Sequence, residues 1–406
     1  MPFQIALSGL NVANSDLDIT ANNIANVNTT GFKRSRGNFA ELFATGLQQV
    51  TSNAVGLGTR LAQVQTQFSQ GSINFTQNNL DLAITGDGFF TLSSNEGLSY
   101  TRAGAFGVDR DGFVVNAQGA RLQAFPPGAG DSFDTGQLAD LRLTTTDNPP
   151  QATANIEAGL NLPADAAAPP TAPFDPTDPD TFNQTTSLTV FDSLGQEHSA
   201  SYFFVKGANP NEWEVSLTID GNVVGGPQPL EFDSSGALIT PAPPGEITFP
   251  PQPLANGAED LELTTDLSNL TQFGNAFGVN TLSQDGFASG RLSSVDINDD
   301  GIVFARFTNG QSTPLGKLAL ANFSNPQGLE NLGDTAFAET FASGNALLGE
   351  AGTSSFGSIE SGALEDANVD LSAELVNMIT AQRNFQANAQ MIRTADTVTQ
   401  TVINLR

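Results

Sequence analysis

The chain has 406 residues and a formal net charge of −28, with 39 % apolar residues, one histidine and no cysteine. No apolar run approaches the ~20 residues that cross a bilayer, so we expect no membrane insertion. The lack of cysteine excludes disulfides and thiolate chemistry, and His198 is the only histidine that a zinc site or a Ser–His–Asp triad could use.

The first predicted element is an amphipathic helix at the N-terminus, over residues 3–27. Two interleaved sets of residues repeat every seven positions, which is the 3–4 spacing of a coiled-coil seam. The sets are Phe3, Leu10, Leu17 and Ile24, and Ala6, Ala13, Thr20 and Val27, with Leu7 as a further apolar position. Gly31 is typical of a left-handed C-cap that ends a helix.

A polar connecting segment follows the helix. It begins with the basic cluster Lys33, Arg34 and Arg36, which we expect to be solvated or to pair with other copies of the chain. Residues 35–70 are predicted to be extended or rich in loops, with one short helix possible around Phe39–Leu47. Glycines surround this segment and serve turns or let the backbone adjust: Gly31, Gly46, Gly56, Gly58 and Gly71.

Strand patterns begin at Ile73 and continue to about Leu143. Leu80, Leu82 and Ile84 alternate, and two aromatic residues follow the turn Gly86–Asp87–Gly88. This pattern predicts a β domain.

The middle of the chain is acidic and rich in proline. Between residues 144 and 290 there are 19 acidic residues and one basic residue, a balance of −18. Residues 148–181 are predicted to be an irregular arm, and strand patterns return at Ser187–Phe191, Ala200–Val205 and Trp213–Ile219. The chain has no basic patch, so no nucleic-acid partner is expected.

From about Leu282 the β pattern resumes, with predicted strands at Val295–Ile297, Ile302–Phe307 and Leu315–Phe323. The segment Asp296–Gly301 is similar to the first half of a calcium loop. Its twelfth position is Phe307 rather than the bidentate glutamate, so a hairpin turn is the better interpretation.

The last predicted element is a helix over residues 371–405, with Asp370 as its N-cap. An apolar stripe follows the helix at Leu371, Leu375, Met378, Phe385, Ile392, Val398, Val402 and Leu405. One thin stripe cannot be buried by its own helix, and an isolated helix of this length is scarcely stable in water. We therefore expect both ends to be largely disordered in the monomer and to become ordered when other copies bury them.

Enzyme motifs are incomplete. The chain has no Walker loop, nucleophile elbow or dinucleotide fingerprint, and we expect neither a cofactor nor a metal. His198 is predicted to be an exposed loop residue. The sequence leaves open the function of a glycosidase that uses two carboxylates, because 43 acidic residues are available.

Several motifs, in order, resemble those of the rod and hook proteins of the bacterial flagellar axis, and most closely the hook proteins. The terminal motifs are Asn22–Asn23–Ile24–Ala25–Asn26, Thr30–Gly31–Phe32–Lys33 and Asn368–Val369–Asp370–Leu371. Between them lie Leu80–Phe90, Tyr100–Thr101–Arg102, Asn325–Pro326–Gln327–Gly328–Leu329 and Ser343–Gly344. Ala367 stands where the family usually has serine. No family motif was found in the middle, about residues 144–282.

The fold class that we expect is mixed: an α-helical coiled-coil layer formed by both termini, plus two nested, mainly-β domains. The four expected parts are the terminal helices at 1–31 and 366–406, a loop-rich connecting layer at 32–72 and 341–365, an inner β domain at 73–147 and 283–340, and an inserted outer β domain at 148–282.

The resemblance implies a structural, non-enzymatic subunit of the flagellar hook, part of the basal body and motility apparatus. It would self-assemble as a helical polymer into a curved hollow tube that acts as a universal joint between rod and filament. It implies the rod, hook cap and hook–filament junction proteins as partners, and type III export to the cell exterior. No cleavable signal peptide is apparent, which agrees with that route. The alternatives are a distal rod protein and a secreted β-rich glycan-binding protein or enzyme.

Overall fold

The computed structural model describes residues 2–42, 56–94, 97–128, 132–143, 147–353 and 355–404. Two long α-helices lie at the ends of this described chain. Helix α1 is Pro2–Ala25 and helix α2 is Leu371–Asn404. Neither is apolar enough over a sufficient length to cross a membrane. The rest is mainly β, with two short 3₁₀ turns at Pro179–Thr181 and Pro326–Gly328.

The strands between the helices are short and are numbered in chain order. They are β1 Ser35–Leu42, β2 Gly58–Thr66, β3 Ile73–Phe75, β4 Leu82–Thr85, β5 Phe89–Ser94, β6 Gly97–Thr101, β7 Gly107–Val108, β8 Val114–Val115, β9 Arg121–Phe125, β10 Ala139–Asp140, β11 Asn155–Pro163, β12 Gln184–Phe191, β13 Glu197–Lys206, β14 Glu212–Ile219, β15 Asn222–Phe232, β16 Leu238–Thr240, β17 Glu246–Thr248, β18 Thr264–Asp266, β19 Thr271–Phe273, β20 Gly278–Gln284, β21 Leu292–Ile297, β22 Ile302–Phe307, β23 Ser312–Asn322, β24 Glu330–Gly333, β25 Ala336–Ala338, β26 Leu347–Glu350, β27 Ser358–Ser361 and β28 Ala363–Glu365.

The chain divides into two compact units. The helix-bearing unit comprises the described residues of Met1–Thr144, Ser294–Arg306 and Ser312–Arg406. The inserted unit comprises those of Thr145–Ser293 and Phe307–Gln311. Each unit has its own hydrophobic core.

The main sheet of the helix-bearing unit has the strand order β21, β22, β23, β9, β5, β6, β25, β24, with β7, β8, β10 and β26 beside this path. Leu82, Phe90, Leu122 and Leu320 are fully buried in its core. Two short antiparallel pairs, β3 with β28 and β4 with β27, place the segment before α2 next to residues 73–85. These pairs bring sequence-distant ends of the unit together.

The inserted unit has two sheets. One is the antiparallel sheet β12, β13, β14, β15, β16, and the other has β11 between β18 and β19 on parallel registers, with β20 antiparallel to it. Both sheets contribute to one core that contains Trp213, Phe204 and Leu160. The Tyr202 hydroxyl and Thr265 Oγ1 lie 2.6 Å apart and link the two sheets.

Two predictions of local structure were wrong. Residues 155–163, within the predicted irregular arm, form β11, because Ile156, Leu160 and Leu162 are buried in the inserted unit's core despite the flanking prolines. The predicted short helix at 39–47 is a strand over Phe39–Leu42, since these residues pair with Gly58–Leu61 of β2. Residues 43–47, with Gly46, lie outside the described residues.

The interpretation of Asp296–Gly301 as a hairpin turn is confirmed. The Gly301 amide donates to the Asn298 carbonyl at 2.8 Å, and the Ile302 amide donates to Asn298 Oδ1, also at 2.8 Å. Gly301 has φ +76°, a left-handed conformation that suits glycine at this position. The turn joins β21 to β22.

Candidate assembly interface

Helices α1 and α2 pack against each other in antiparallel directions. Phe3 lines one groove with Met391 and Val398, whereas Thr20, near the other end of α1, lines a second groove with Glu374. Between these grooves, a Cβ on Gly9 would lie only 2.6 Å from Oδ1 of Asn388. The absence of a side chain at Gly9 therefore lets the helices approach closely.

The buried positions of α1 are its small residues. Ala6, Ala13 and Thr20 repeat every seven residues and are buried, and Asn23 is buried one turn after Thr20. Leu10, Leu17, Ile24 and the following Val27 are only partly buried. The predicted seven-residue period is therefore present, and the interleaved small set occupies its buried face.

Helix α2 has a matching face. Glu374 and Ala381 are buried, and Met378, Phe385 and Ile392 are partly buried between and beyond them. These positions follow the 3–4 spacing that places side chains on one face of a helix.

The remaining predicted assembly residues point their apolar side chains to solvent. Phe3 is 52 % exposed, Leu375 is 45 % exposed and Val398 is 58 % exposed. Leu7 and Leu371 are exposed in the same way, as are Val376, Ile379 and Met391 on α2. Phe3, Met391 and Val398 border a groove of about 850 Å³. The side chain of Val402, and all of Leu405, lie outside the described residues. The helix pair thus leaves a large apolar surface uncovered.

A hairpin of β1 and β2 lies along α1. The Thr59 amide donates to Ser8 Oγ at 3.2 Å near one end of the hairpin, and Ile19 contacts the Gly37 region near the other. Gly58, with φ +112°, leaves no room for a Cβ beside Ser8. Phe39 and Val64 remain exposed on this hairpin.

The two terminal motifs meet where the helices begin and end. In the N-terminal motif, Asn23 Nδ2 donates to the Ser35 carbonyl at 2.8 Å and its Oδ1 accepts from the Ser35 amide at 2.9 Å. Asn26 Nδ2 donates to the Asn22 carbonyl, and the Phe32 amide donates to the Thr29 carbonyl. Thr30, which lies between Thr29 and Phe32, is partly buried. These bonds define the turn after α1.

Asn368 connects three chain segments through one side chain. Its Oδ1 accepts from the Arg34 amide at 2.7 Å, and its Nδ2 donates to the carbonyls of Gln67 and Ser69 at 2.8 and 2.9 Å. Its own amide donates to the Phe32 carbonyl at 3.4 Å. The amide side chain is therefore the contact by which the C-terminal motif binds the connecting segment.

Val369 and Asp370 complete the C-terminal motif. Val369 is partly buried, and Oδ1 of Asp370 accepts from the amides of Ser372 and Ala373 at 2.9 and 3.1 Å. This pair of bonds confirms the predicted N-cap of α2.

Gly31 passes against the β domain at a point with no space for a side chain. It has φ +70°, and a Cβ there would overlap the backbone of Ala103. The Gly31 amide donates to the Glu365 carbonyl at 2.8 Å. The prediction that Gly31 caps α1 was wrong, because the helix ends at Ala25 and the Gly31 amide bonds Glu365 instead. Glycine is required at this position because only glycine allows the close approach to Ala103.

A buried cluster of charges lies beneath this junction. Lys33 Nζ is 2.6 Å from Glu365 Oε1, and both side chains are completely buried. Arg102 Nη1 is 3.5 Å from the other oxygen, Oε2, of Glu365. Glu365 Oε1 also accepts from the Gly71 amide at 2.7 Å. Lys33 was expected to be solvated or to pair with another copy; that expectation was wrong, because its partner is Glu365 of the same chain.

Burial determines the electrostatics of this cluster. Burial lowers the pKa of Lys33 below its ordinary value, and the attraction of Glu365 only partly opposes this effect. The pKa of Arg102 is also lowered by burial, again opposed by Glu365. Two buried cations depend on one carboxylate, so Glu365 is the residue whose loss should matter most.

No pattern in the sequence indicated the importance of Glu365 or the role of Arg102. Arg102 belongs to a family motif that suggests no charge pairing, and Glu365 is one of 43 acidic residues. Lys33 and Glu365 are 332 positions apart, so no helical or strand period could connect them. A buried location, known only from the fold, identifies this pair.

The single histidine lies in the inserted unit and is buried, so the predicted exposed position was wrong. His198 Nδ1 is 2.6 Å from Oδ2 of Asp220, and Nε2 is 3.4 Å from Oδ2 of Asp192. Asn256 Nδ2 also donates to Asp192. Burial by itself lowers the pKa of His198, but its hydrogen bonds to the two carboxylates outweigh burial and raise the pKa. His198 lies between the turn before β13, which carries Asp192, and the turn after β14, which carries Asp220.

This arrangement predicts that the inserted unit loses stability as pH rises. A histidine whose pKa is raised by folding contributes fully below its unfolded pKa of about 6.5, and the contribution disappears as pH rises through the folded pKa. We expect thermal unfolding of the full chain to show a transition of the inserted unit that moves to lower temperature from about pH 6.5 upward. His198→Gln should remove this dependence. An unchanged pH profile in that variant would contradict the assignment.

Among the described residues, no group of three or more His, Cys, Asp or Glu side chains is arranged to hold a metal ion.

Four family profiles match the chain. They are "Flagella basal body rod protein" at residues 3–33, "Flagellar hook protein FlgE/F/G D1 domain" at 83–168, "Flagellar basal body protein FlaE D2 domain" at 161–287 and "Flagellar basal body rod FlgEFG protein C-terminal" at 360–405. The third match covers most of the middle of the chain, so the expectation that this region carries no family motif was wrong.

Curated relatives match over their full length. The flagellar hook protein FlgE of Escherichia coli strain K12 is 38 % identical over 413 residues, covering 100 % of both chains. FlgE of Borreliella burgdorferi is 35 % identical over 436 residues, covering 98 % of each chain. In fold, the chain is similar to the crystal structure of Helicobacter pylori flagellar hook protein FlgE2, with a TM-score of 0.52 and 14 % identity over 72 % of this chain and 100 % of that one.

Proposed function

Because the chain belongs to the bacterial flagellar hook protein family and is a structural subunit of the hook, we propose that its terminal helices drive its assembly. Copies pack these helices together as a coiled-coil inner layer of a helical polymer. The product is a curved hollow tube, and it serves as a universal joint that passes torque from rod to filament in motility. A distal rod subunit is not favoured, since the full-length relatives are hook proteins.

The observation that carries this proposal is the exposed apolar surface of the helix pair. Phe3, Leu7, Leu371, Leu375 and Val398 are all more than a third exposed although they belong to the predicted stripes. Their burial would stabilise contacts between copies by roughly 1.5–3 kcal/mol for each side chain that becomes fully covered. Contiguous apolar surface of this kind marks a protein–protein interface.

We further propose that the chain is layered as its sequence suggests. The terminal helices (1–31 and 366–406) form the inner layer, and the connecting layer (32–72 and 341–365) joins them to the inner β domain (73–147 and 283–340). The inserted outer β domain (148–282) forms its own core around Trp213 and Phe204. The separate core of the inserted unit supports this division.

Limited proteolysis of the purified monomer tests the layered arrangement. We expect a resistant fragment of about 130–150 residues with ends near 145 and 290, because the inserted unit buries its own apolar core. Mass spectrometry of the fragment identifies the ends. Digestion of this region at the same rate as the rest of the chain would contradict an independent outer domain.

The proposed role also defines partners and location. We propose that the polymer contacts the flagellar rod, the hook cap and the hook–filament junction proteins, outside the cell. The subunit reaches this position through the flagellar type III export apparatus without cleavage of a signal peptide. The role is structural, with no catalytic step.

Electron microscopy of a strain that lacks the gene tests the function. We expect cells without hooks and without motility, and restoration of both by the full-length chain. Motile cells with normal hooks after deletion would refute the proposal. Purified chain should in addition form tubes at high concentration, whereas persistent monomers under all assembly conditions would count against it.

A further inference from the structure

A turn over Thr340–Gly344, here called the 341 turn, holds one phenylalanine entirely in solvent. Phe341 is 106 % exposed, the highest value among the exposed large apolar side chains of the described chain. An aromatic ring of this size exposes roughly 150–250 Å² of mostly apolar surface. Scattered exposed apolar residues are normal, but a completely bare phenyl ring on an ordered turn needs an explanation.

Hydrogen bonds inside the turn fix its conformation. The Thr340 amide donates to Ser343 Oγ at 2.8 Å, and Ser343 Oγ in turn lies 2.8 Å from the Thr340 carbonyl, which accepts from it. The Ala342 amide donates to Thr340 Oγ1 at 3.1 Å. Ser343 is fully buried beneath the turn. The ring of Phe341 is therefore held outward by a closed network of short polar contacts.

A second segment supports the turn from below. Thr340 Oγ1 donates to the Gly328 carbonyl at 2.6 Å, and Asn325 Nδ2 donates to the Ala342 carbonyl at 2.9 Å. A Cβ on Gly328 would lie 2.5 Å from the carbonyl carbon of Ala342, so only glycine allows this contact. The motif Asn325–Leu329 and the pair Ser343–Gly344 thus share a structural task, which is to hold the 341 turn.

A second exposed apolar residue lies on the neighbouring strand. Leu347, in β26, is 61 % exposed and pairs with Asn322 of β23, three residues before Asn325. Among the described strands, β26 pairs only with β23, so it lies at an edge. The 341 turn and Leu347 are therefore both held by residues 322–328, the turn through Asn325 and Gly328 and Leu347 through Asn322.

We propose that the 341 turn is a docking element that inserts Phe341 into a second copy of this chain. This inference rests on the proposed function. In a polymer of identical copies, a bare phenyl ring on every subunit would give a repeated apolar surface prone to aggregation unless a neighbouring copy covered it. A rigid turn also lowers the entropic cost of binding, because the ring is ordered before contact. Aromatic anchors of this type dominate the energy of interfaces.

Photocrosslinking identifies what Phe341 contacts. The full-length chain with p-benzoyl-phenylalanine in place of Phe341 is assembled into hooks and illuminated. We expect crosslinked dimers and higher multimers of this chain, with the crosslink mapped by mass spectrometry to a second copy. Crosslinks to a different protein alone, or no crosslink in well-formed hooks, would overturn the proposal.

A substitution measures how much the ring contributes. Phe341→Ser should raise the critical concentration for assembly of the full chain roughly tenfold or more, and Phe341→Leu should raise it less. The melting temperature of the monomer should not change, because the ring is outside the core. Leu194→Ser, which removes an exposed apolar side chain from a turn of the inserted unit, is the matched control and should leave assembly unchanged.

The outcomes separate this inference from the function on which it depends. If the unaltered chain does not polymerise, the assembly proposal itself fails. If the unaltered chain polymerises and Phe341→Ser assembles at the same concentration, or if Leu194→Ser impairs assembly equally, only the docking role of Phe341 is overturned.

Discussion

Replacing Glu365 by glutamine should lower the free energy of unfolding of the helix-bearing unit by about 3–5 kcal/mol. The carboxylate of Glu365 is the shared partner of Lys33 and Arg102, and all three side chains are buried. Without it, the buried Lys33 loses its counter-charge, Arg102 keeps only the attraction of Asp87, and the Gly71 amide loses a charged acceptor. Thermal unfolding of the purified chain measures the effect, with an expected decrease of about 10 °C.

The cluster also predicts an order among its own variants. Lys33→Met should cost less than Glu365→Gln, because it leaves the carboxylate paired with Arg102 alone. Asp111→Asn is the matched control, since it removes the carboxylate of an ion pair with Arg110 that is exposed to solvent. That control should change stability by less than about 1 kcal/mol. Equal effects of Glu365→Gln and Asp111→Asn would show that the buried cluster does not hold the unit together.

The double variant Leu375→Asp, Val398→Asp should abolish assembly and leave the monomer folded. Both side chains are about half exposed on α2, so their loss removes little packing within one chain. In the polymer, each variant loses apolar burial worth about 1.5–3 kcal/mol and places a carboxylate in an apolar contact. A combined loss above about 4 kcal/mol raises the critical concentration by about 10³-fold.

The control for this variant changes the same charge on the same helix. Gln386→Asp with Thr401→Asp also adds two carboxylates to exposed positions of α2 but removes no large apolar side chain. Sedimentation and electron microscopy across a concentration series compare the two proteins. Normal tubes from the Leu375, Val398 variant would contradict the role of the exposed stripes, and failure of both variants would assign the effect to charge.

The local elements were well predicted from the sequence. The seven-residue periods gave both helices, and Asp370 gave the start of α2, because capping and helical periodicity depend on residues within one turn of each other. The strands at Phe89–Phe90 and Trp213–Ile219 were also predicted, because strand patterns likewise depend on residues close together in the chain. Strand β11 was missed because its burial in the inserted unit overrides the irregular structure that flanking prolines suggest.

The seven-residue periods did not decide which face of each helix is buried. Two sets of residues in α1 fit the seven-residue repeat equally well, and the set with the larger side chains is the more apolar. The fold buries the small residues Ala6, Ala13 and Thr20, because the helices approach closely at Gly9. Phe3 of the other set is left exposed, and Leu10 and Leu17 are only partly buried. A period specifies which residues share a face, whereas the distance to a neighbouring element decides which face is buried.

By itself the sequence determined that the chain has two terminal helices around β structure, and its ordered motifs indicated the flagellar hook family. These features are local, or are read directly from residue identity. Only the tertiary structure decided that Lys33 and Arg102 share Glu365, that His198 is enclosed by two carboxylates, and that Phe341 is held in solvent. The reason is that charge pairing and burial depend on distances in space between residues far apart in the chain, and no local repeat encodes those distances.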